Sequence, residues 1–131
     1  MIVYVDASAA LKLVVEEVES GAVADYLEVA RGQGDRLVSS LLLHTEMHCA
    51  ANRRPDAVDL EAVRTVLSTM DLLHVEPGDL TTAALLPGRL RTLDAVHLAS
   101  ALRVDADTML TYDAELATAA GAAGSRVTSA G

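Results

Sequence analysis

The sequence predicts an α/β fold, a three-layer α/β/α sandwich around a mainly parallel, short-stranded sheet. Three observations carry this. Short apolar runs (Ile2-Val3-Tyr4-Val5, Leu37-Val38, Leu72-Leu73-His74-Val75, Thr108-Met109-Leu110-Thr111) alternate with longer stretches of helical spacing. Strands separated by helices favour parallel pairing, with a helical layer on each face. The apolar composition comes from Ala, Leu and Val, with no Phe or Trp, which suits helices packed closely on a sheet better than an aromatic-rich barrel.

Taken in order, residues 2–5 form the first strand, β-branched at three of four positions. Ala7 to Val15 reads as a helix of good formers, and a second runs from Ser20, its expected N-cap, to about Arg31. Gly32-Gln33-Gly34-Asp35 is a turn. After Leu37-Val38, Ser39 or Ser40 caps a helix to about Arg53. Pro55 breaks it, and Asp56 is expected to cap the next helix, to about Met70. Residues 72–75 give a third strand, and Pro77-Gly78-Asp79 turns into a helix ending near Leu86. Thr92 to Val104 has the clearest helical signal, with Thr92 as cap. Thr108–Thr111 is a strand, Asp113 starts a last helix, and Arg126-Val127 adds an edge strand.

The 131 residues fit one domain, 1–131, without linker, repeat or low-complexity stretch. No apolar run approaches the ~20 residues of a membrane span, and the N-terminus lacks the basic and small-residue signals of a secretory leader. Cys49 stands alone, so an intrachain disulfide is excluded, and it reads as buried core. The expectation is a cytoplasmic protein without membrane contact. The net charge of −9, from 19 acids against 10 basic residues, argues against non-specific nucleic-acid binding unless bound cations offset it.

Four acids stand out against that field. Asp6 directly follows the first strand and Asp113 follows the 108–111 strand, where open α/β sheets bind ligands. Either can equally be a helix cap. Asp94 lies in the first turn of a helix apolar on most sides, so it needs a partner, and a metal is one of the few good ones. Glu46 shares a helix face with Leu42, Cys49 and Ala50, expected to look inward. Such acids converging on one sheet edge would repel one another unless a hard cation joined them.

Asp6-Ala7-Ser8-Ala9, Glu46, the segment TLDAVHLASAL at 92–102 and Thr111-Tyr112-Asp113 together resemble the PIN-domain proteins, most of all the toxin ribonucleases of VapBC-type toxin–antitoxin pairs. The resemblance covers essentially the whole chain. It implies that Asp6, Glu46, Asp94 and Asp113 hold Mg²⁺ or Mn²⁺, with the Ser8 and Thr111 hydroxyls orienting carboxylates or a bound water. The implied reaction is endonucleolytic RNA cleavage by a metal-activated water. A homodimer and a cognate antitoxin are the implied partners. Glu115 and Leu116 follow Asp113, where the family often has a second Asp and an aromatic.

Arg89 and Arg91, just ahead of Asp94, are candidate phosphate ligands. Arg53 and Arg54 read as a solvated helix end, Lys12 as a surface residue, and His97 as a hydrogen-bonded packing residue. His44 and His48 have zinc-like spacing but no third ligand. No phosphate-binding glycine loop or serine-hydrolase elbow is present. Rival readings are a housekeeping PIN-type nuclease without antitoxin, a phosphoacceptor domain, and a non-catalytic α/β module whose acids cap helices. The phosphoacceptor requires paired acids after the first strand and a late lysine; Asp6 has no acidic neighbour and the one lysine is Lys12.

Overall fold

Five short strands lie side by side in the order β3-β2-β1-β4-β5, every neighbouring pair parallel. The computed structural model describes residues 1–15 and 19–130. The strands are β1 (Ile2–Val5), β2 (Arg36–Ser40), β3 (Asp71–Leu73), β4 (Thr108–Leu110) and β5 (Arg126–Thr128). The helices are α1 (Ala7–Ala10), α2 (Ser20–Gly32), α3 (Leu41–Arg53), α4 (Leu60–Ser68), α5 (Pro77–Leu85), α6 (Thr92–Arg103) and α7 (Ala114–Ala122).

Side-chain alternation along the strands makes the three layers. Val3 and Val5 of β1, Leu37 of β2 and Leu110 of β4 pack with α1 to α4 on one face. Tyr4, Val38 and Met109, one residue out of step, pack with α6 and α7 on the other. A sheet covered on both faces needs apolar residues at every central position, and β1 is buried from Val3 to Val5. Small residues let the helices approach closely: Ala119 and Ala120 of α7 and Ala101 of α6 share one cluster. Gly34 (φ +86°) and Gly124 (φ +90°) end α2 and α7 in the left-handed conformation, each followed by a residue whose N–H returns to the helix.

Several boundaries differ from expectation for local reasons. The 7–15 helix is one α-turn (α1) continued by a 3₁₀ segment, Leu11–Leu13. Ser20 is the first residue of α2 rather than its cap, and its hydroxyl donates to the Val15 carbonyl. α4 starts after Asp59, whose side chain accepts from the Glu61 N–H; Asp56 is left in the turn after Pro55, ahead of buried Val58. α6 is preceded by Arg91 and has no side-chain cap, so Thr92 falls inside the helix. β3 begins one residue earlier than expected and ends at Leu73. Cys49 is exposed, not core, because α3 buries the stripe Leu43, Met47, Ala50 and Ala51, and Cys49 lies outside it. No helix among the described residues is long and apolar enough to cross a membrane.

The strand order reverses direction between β1 and β4: the chain moves outward from β1 through β2 to β3, then returns to β4 on the other side. That reversal opens a crevice beyond the carboxyl ends of these two strands.

Candidate active site

Asp6 and Thr111 sit at that crevice, one residue past the ends of β1 and β4, joined through the ladder bond from the Asp6 N–H to the Leu110 carbonyl. Asp6 is 1% exposed. Its Oδ2 accepts from Ser8 Oγ at 2.7 Å, Thr111 Oγ1 at 2.8 Å and the Ser8 N–H at 3.3 Å. The helix-cap reading therefore holds for this one oxygen. Oδ1 is buried and has no hydrogen-bond partner among the described residues. The two hydroxyls also lie 3.2 Å apart, and Ser8 Oγ accepts from the Tyr112 N–H at 2.8 Å. These bonds lock the carboxylate's orientation.

Asp94 occupies the first turn of α6, whose run Ala95–Ala101 is buried throughout. Its pKa is pushed up to about 6, first by burial and then by the charges of Asp6 and Asp113, with a smaller push from Glu46 and an opposing pull from His97. The four acids named by sequence reasoning thus share one electrostatic field. Asp113 precedes α7 and caps it, Oδ1 accepting from the Leu116 N–H at 2.9 Å, while its own N–H donates to Thr111 Oγ1 at 3.1 Å. Glu46 reaches in from the edge of the buried stripe of α3. Its Oε1 is 2.5 Å from Nε2 of His97, a fully buried ring whose Nδ1 lies 2.7 Å from the Tyr4 hydroxyl.

Among the described residues, no three or more His, Cys, Asp or Glu side chains are grouped closely enough to hold a metal ion as they stand. What the crevice holds is an open array of carboxylates with one orphaned, buried oxygen. All the candidate donors are oxygens, which suits a hard divalent cation rather than zinc. The residues present fit such an ion: it would partner Asp6 Oδ1 and relieve the repulsion felt by Asp94.

Ser8 and Thr111 touch Asp6 directly, as above. Arg89 and Arg91 are exposed, and neither side chain makes a hydrogen bond or ion pair with any described residue. Arg89 lines an open, mostly apolar depression of about 390 Å³ with Gly88, Glu115 and Thr118, beside the start of α7. Arg53 lines a depression of about 310 Å³ with Ala7, Leu42, Glu46, Cys49 and Leu93, next to the acids. Lys12 is not a surface residue: its ammonium sits 4.6 Å from the Tyr112 ring centroid and 3.1 Å from Glu19. His44 and His48 stack on each other, and His48 Nδ1 donates to the His44 carbonyl. His97 is packed and hydrogen-bonded as expected, but its link to Glu46, 51 residues away, has no local signature. An ion pair between exposed Arg103 and buried Asp79 was equally invisible to sequence spacing.

The PIN domain profile matches residues 3–122. Ribonuclease VapC46 of Mycobacterium tuberculosis is 40% identical over 121 residues, spanning 90% of this chain and 89% of that protein. Ribonuclease VapC47 of the same species is 32% identical over 117 residues, spanning 87% and 86%. Among solved structures, VapC20 of M. tuberculosis, described as a sarcin-ricin loop cleaving toxin, superposes with a TM-score of 0.72 at 15% identity, covering 89% of this chain and 94% of its own. VapBC2 of Rickettsia felis, bound to a promoter DNA fragment, gives 0.73 at 11% identity over 98% of both chains. At these identities the structural likenesses speak for the fold alone.

Proposed function

The chain belongs to the PIN-domain family, alongside its VapC proteins, and on that footing we propose that it is a divalent-metal-dependent endoribonuclease, the toxin of a VapBC-type pair. The observation that carries the reading is the buried, unpartnered Oδ1 of Asp6 within a field of mutually repelling carboxylates. A buried carboxylate oxygen without a donor is costly, by roughly 1–3 kcal/mol or more for a charged group, unless something outside the chain completes it.

Asp6, Glu46, Asp94 and Asp113 would hold Mg²⁺ or Mn²⁺. Such an ion, when bound, lowers the pKa of coordinated water and stabilises charge on a phosphodiester. The chain's own part is orientation and charge. Ser8 and Thr111 fix the Asp6 carboxylate. Asp94, with its raised pKa, is the acid most responsive to a cation, because ionising it unaided sets it against its neighbours. Asp113 spends Oδ1 on capping α7, which leaves Oδ2 for an ion. With a net charge of −9, substrate must be gripped locally; Arg53, which shares a depression with Glu46, and the exposed Arg89 and Arg91 are the candidate cations for that role. A cognate antitoxin and a homodimer, in the cytoplasm, complete the proposal, by kinship with VapC proteins.

The test is cleavage of RNA by purified chain with Mg²⁺ or Mn²⁺, with chelator and Asp94→Asn as controls. The expected result is cleavage abolished in both controls, with the variant's circular dichroism unchanged. Retained cleavage by Asp94→Asn would overturn the reading.

A further inference from the structure

Tyr4 and His97 lie outside the carboxylate array, yet both are completely buried and bonded in series to one of its members. Tyr4 comes from the middle of β1, His97 from α6, three residues beyond Asp94, and Glu46 from α3. The two rings meet edge to face, with centroids 5.8 Å apart. The chain therefore crosses the sheet's edge, tying the core under α6 to an acid on a helix of the opposite layer.

Proton accounting gives the direction of each bond. With a neutral ring, the Tyr4 O–H donates to Nδ1, which leaves the ring proton on Nε2, facing Glu46 Oε1. With a charged ring, Nδ1–H donates to the phenol oxygen and Nε2–H again faces Glu46. In both forms Nε2 is the donor, so the arrangement does not depend on the ring's charge. Burial holds the Tyr4 hydroxyl in its protonated form, and the nearby charges of Asp6 and Glu46 reinforce that. A free glutamate on a helix samples many rotamers, and confining it has an entropic cost. Here a buried donor confines it before any ligand arrives and engages one named oxygen.

We propose that His97, locked in place by the Tyr4 hydroxyl, is a positioning residue that holds Glu46 with a single carboxylate oxygen free for the cation. The proposal rests on the reading of Glu46 as a metal ligand. Partners of this kind behind a ligand typically matter about 10- to 100-fold in metal affinity.

The experiment is calorimetric titration of Mn²⁺ into the full chain and its His97→Ala, His97→Gln, Tyr4→Phe and Glu46→Gln variants, with RNA cleavage and melting temperature alongside. His97→Ala should weaken Mn²⁺ binding roughly 10- to 100-fold. His97→Gln, whose amide N–H reaches the Nε2 position, should recover most of that, and Tyr4→Phe should lose only several-fold. Recovery by Gln is the outcome that packing alone does not give. Equal weakening in His97→Gln and His97→Ala, at matched melting temperatures, would overturn the proposal. If His97→Ala fails to fold, wild-type Mn²⁺ affinity in Tyr4→Phe would overturn it. Glu46→Gln separates the two levels: wild-type Mn²⁺ affinity in that variant removes Glu46 as a ligand, and the positioning proposal falls with it.

Discussion

Asp6 and Asp79 are buried to the same degree, 1% and 2% exposed, and the protein completes them in opposite ways. Asp79 stands in the first turn of α5 with both oxygens engaged. Arg103 Nε donates to Oδ1 at 2.8 Å, and Arg103 Nη2, Ser100 Oγ and the Glu76 N–H donate to Oδ2 at 3.2, 3.2 and 3.0 Å. Burial alone would raise its pKa, but the bonds from Arg103, the Glu76 backbone and Ser100 outweigh burial and hold it below the usual carboxylate range. Asp6 receives only neutral donors, all on Oδ2, and its Oδ1 has none. A buried acid finished by the protein ties elements together, here α5 to α6. One finished on a single oxygen keeps its charge for a group that the chain does not supply.

Three substitutions would break the comparison if it is wrong. Asp6→Asn should reduce metal-dependent RNA cleavage on the order of a thousandfold, since several kcal/mol of charge stabilisation is at stake at about 1.4 kcal/mol per decade. Its melting temperature should stay level or rise. Asp79→Asn should do the reverse, melting earlier while the folded fraction keeps wild-type specific activity. Loss of activity in Asp79→Asn at full foldedness would erase the distinction. The third substitution is Arg103→Met, which keeps the aliphatic stem and removes the charge. Asp79 would retain Ser100 and the Glu76 N–H, and Arg103 is partly solvated, so the expected loss is about 2 kcal/mol rather than the larger value of a fully buried pair. Urea denaturation would read it, and a change under about 0.5 kcal/mol would mean that Arg103 is ornamental.

Sequence patterning carried the fold further than it carried the site. β1, β4 and α6 were legible because each is a run whose apolar period has one reading, and their order alone implied a parallel sheet with two helical layers. Helix starts were less legible. Asp56 and Asp59 have equal capping chemistry, and burial of Val58 decided between them. Thr92 looked like a cap but lies inside α6. Asp6 and Asp94 were visible from strand-end position and from an acid on an apolar helix. Their neighbours were not: Tyr4 with His97, and Asp79 with Arg103, are pairings set by how layers stack. A buried histidine on a helix as apolar as α6 was itself a signal that a polar partner must exist, though not which one.

Asp94 lies between the two treatments, half-buried and in the field of Asp6, Asp113 and Glu46, and it gives the finest test of the comparison. Its folded pKa is raised from 3.8 to about 6, so the native chain holds this proton more tightly than the unfolded chain does. Folding stability from this group is therefore greatest below pH 3.8 and is lost as pH rises through about 6. Asp94→Asn cannot ionise and escapes that loss. In chelator, the variant should melt a few degrees above wild type at pH 7.5, with the gap closing towards pH 4. Adding Mg²⁺ at pH 7.5 should raise the wild-type melting temperature more than the variant's, because only the ionised array binds the ion well. A pH-independent gap between the two proteins would mean that Asp94 does not feel the other acids, and the crevice would then be a set of separate helix caps.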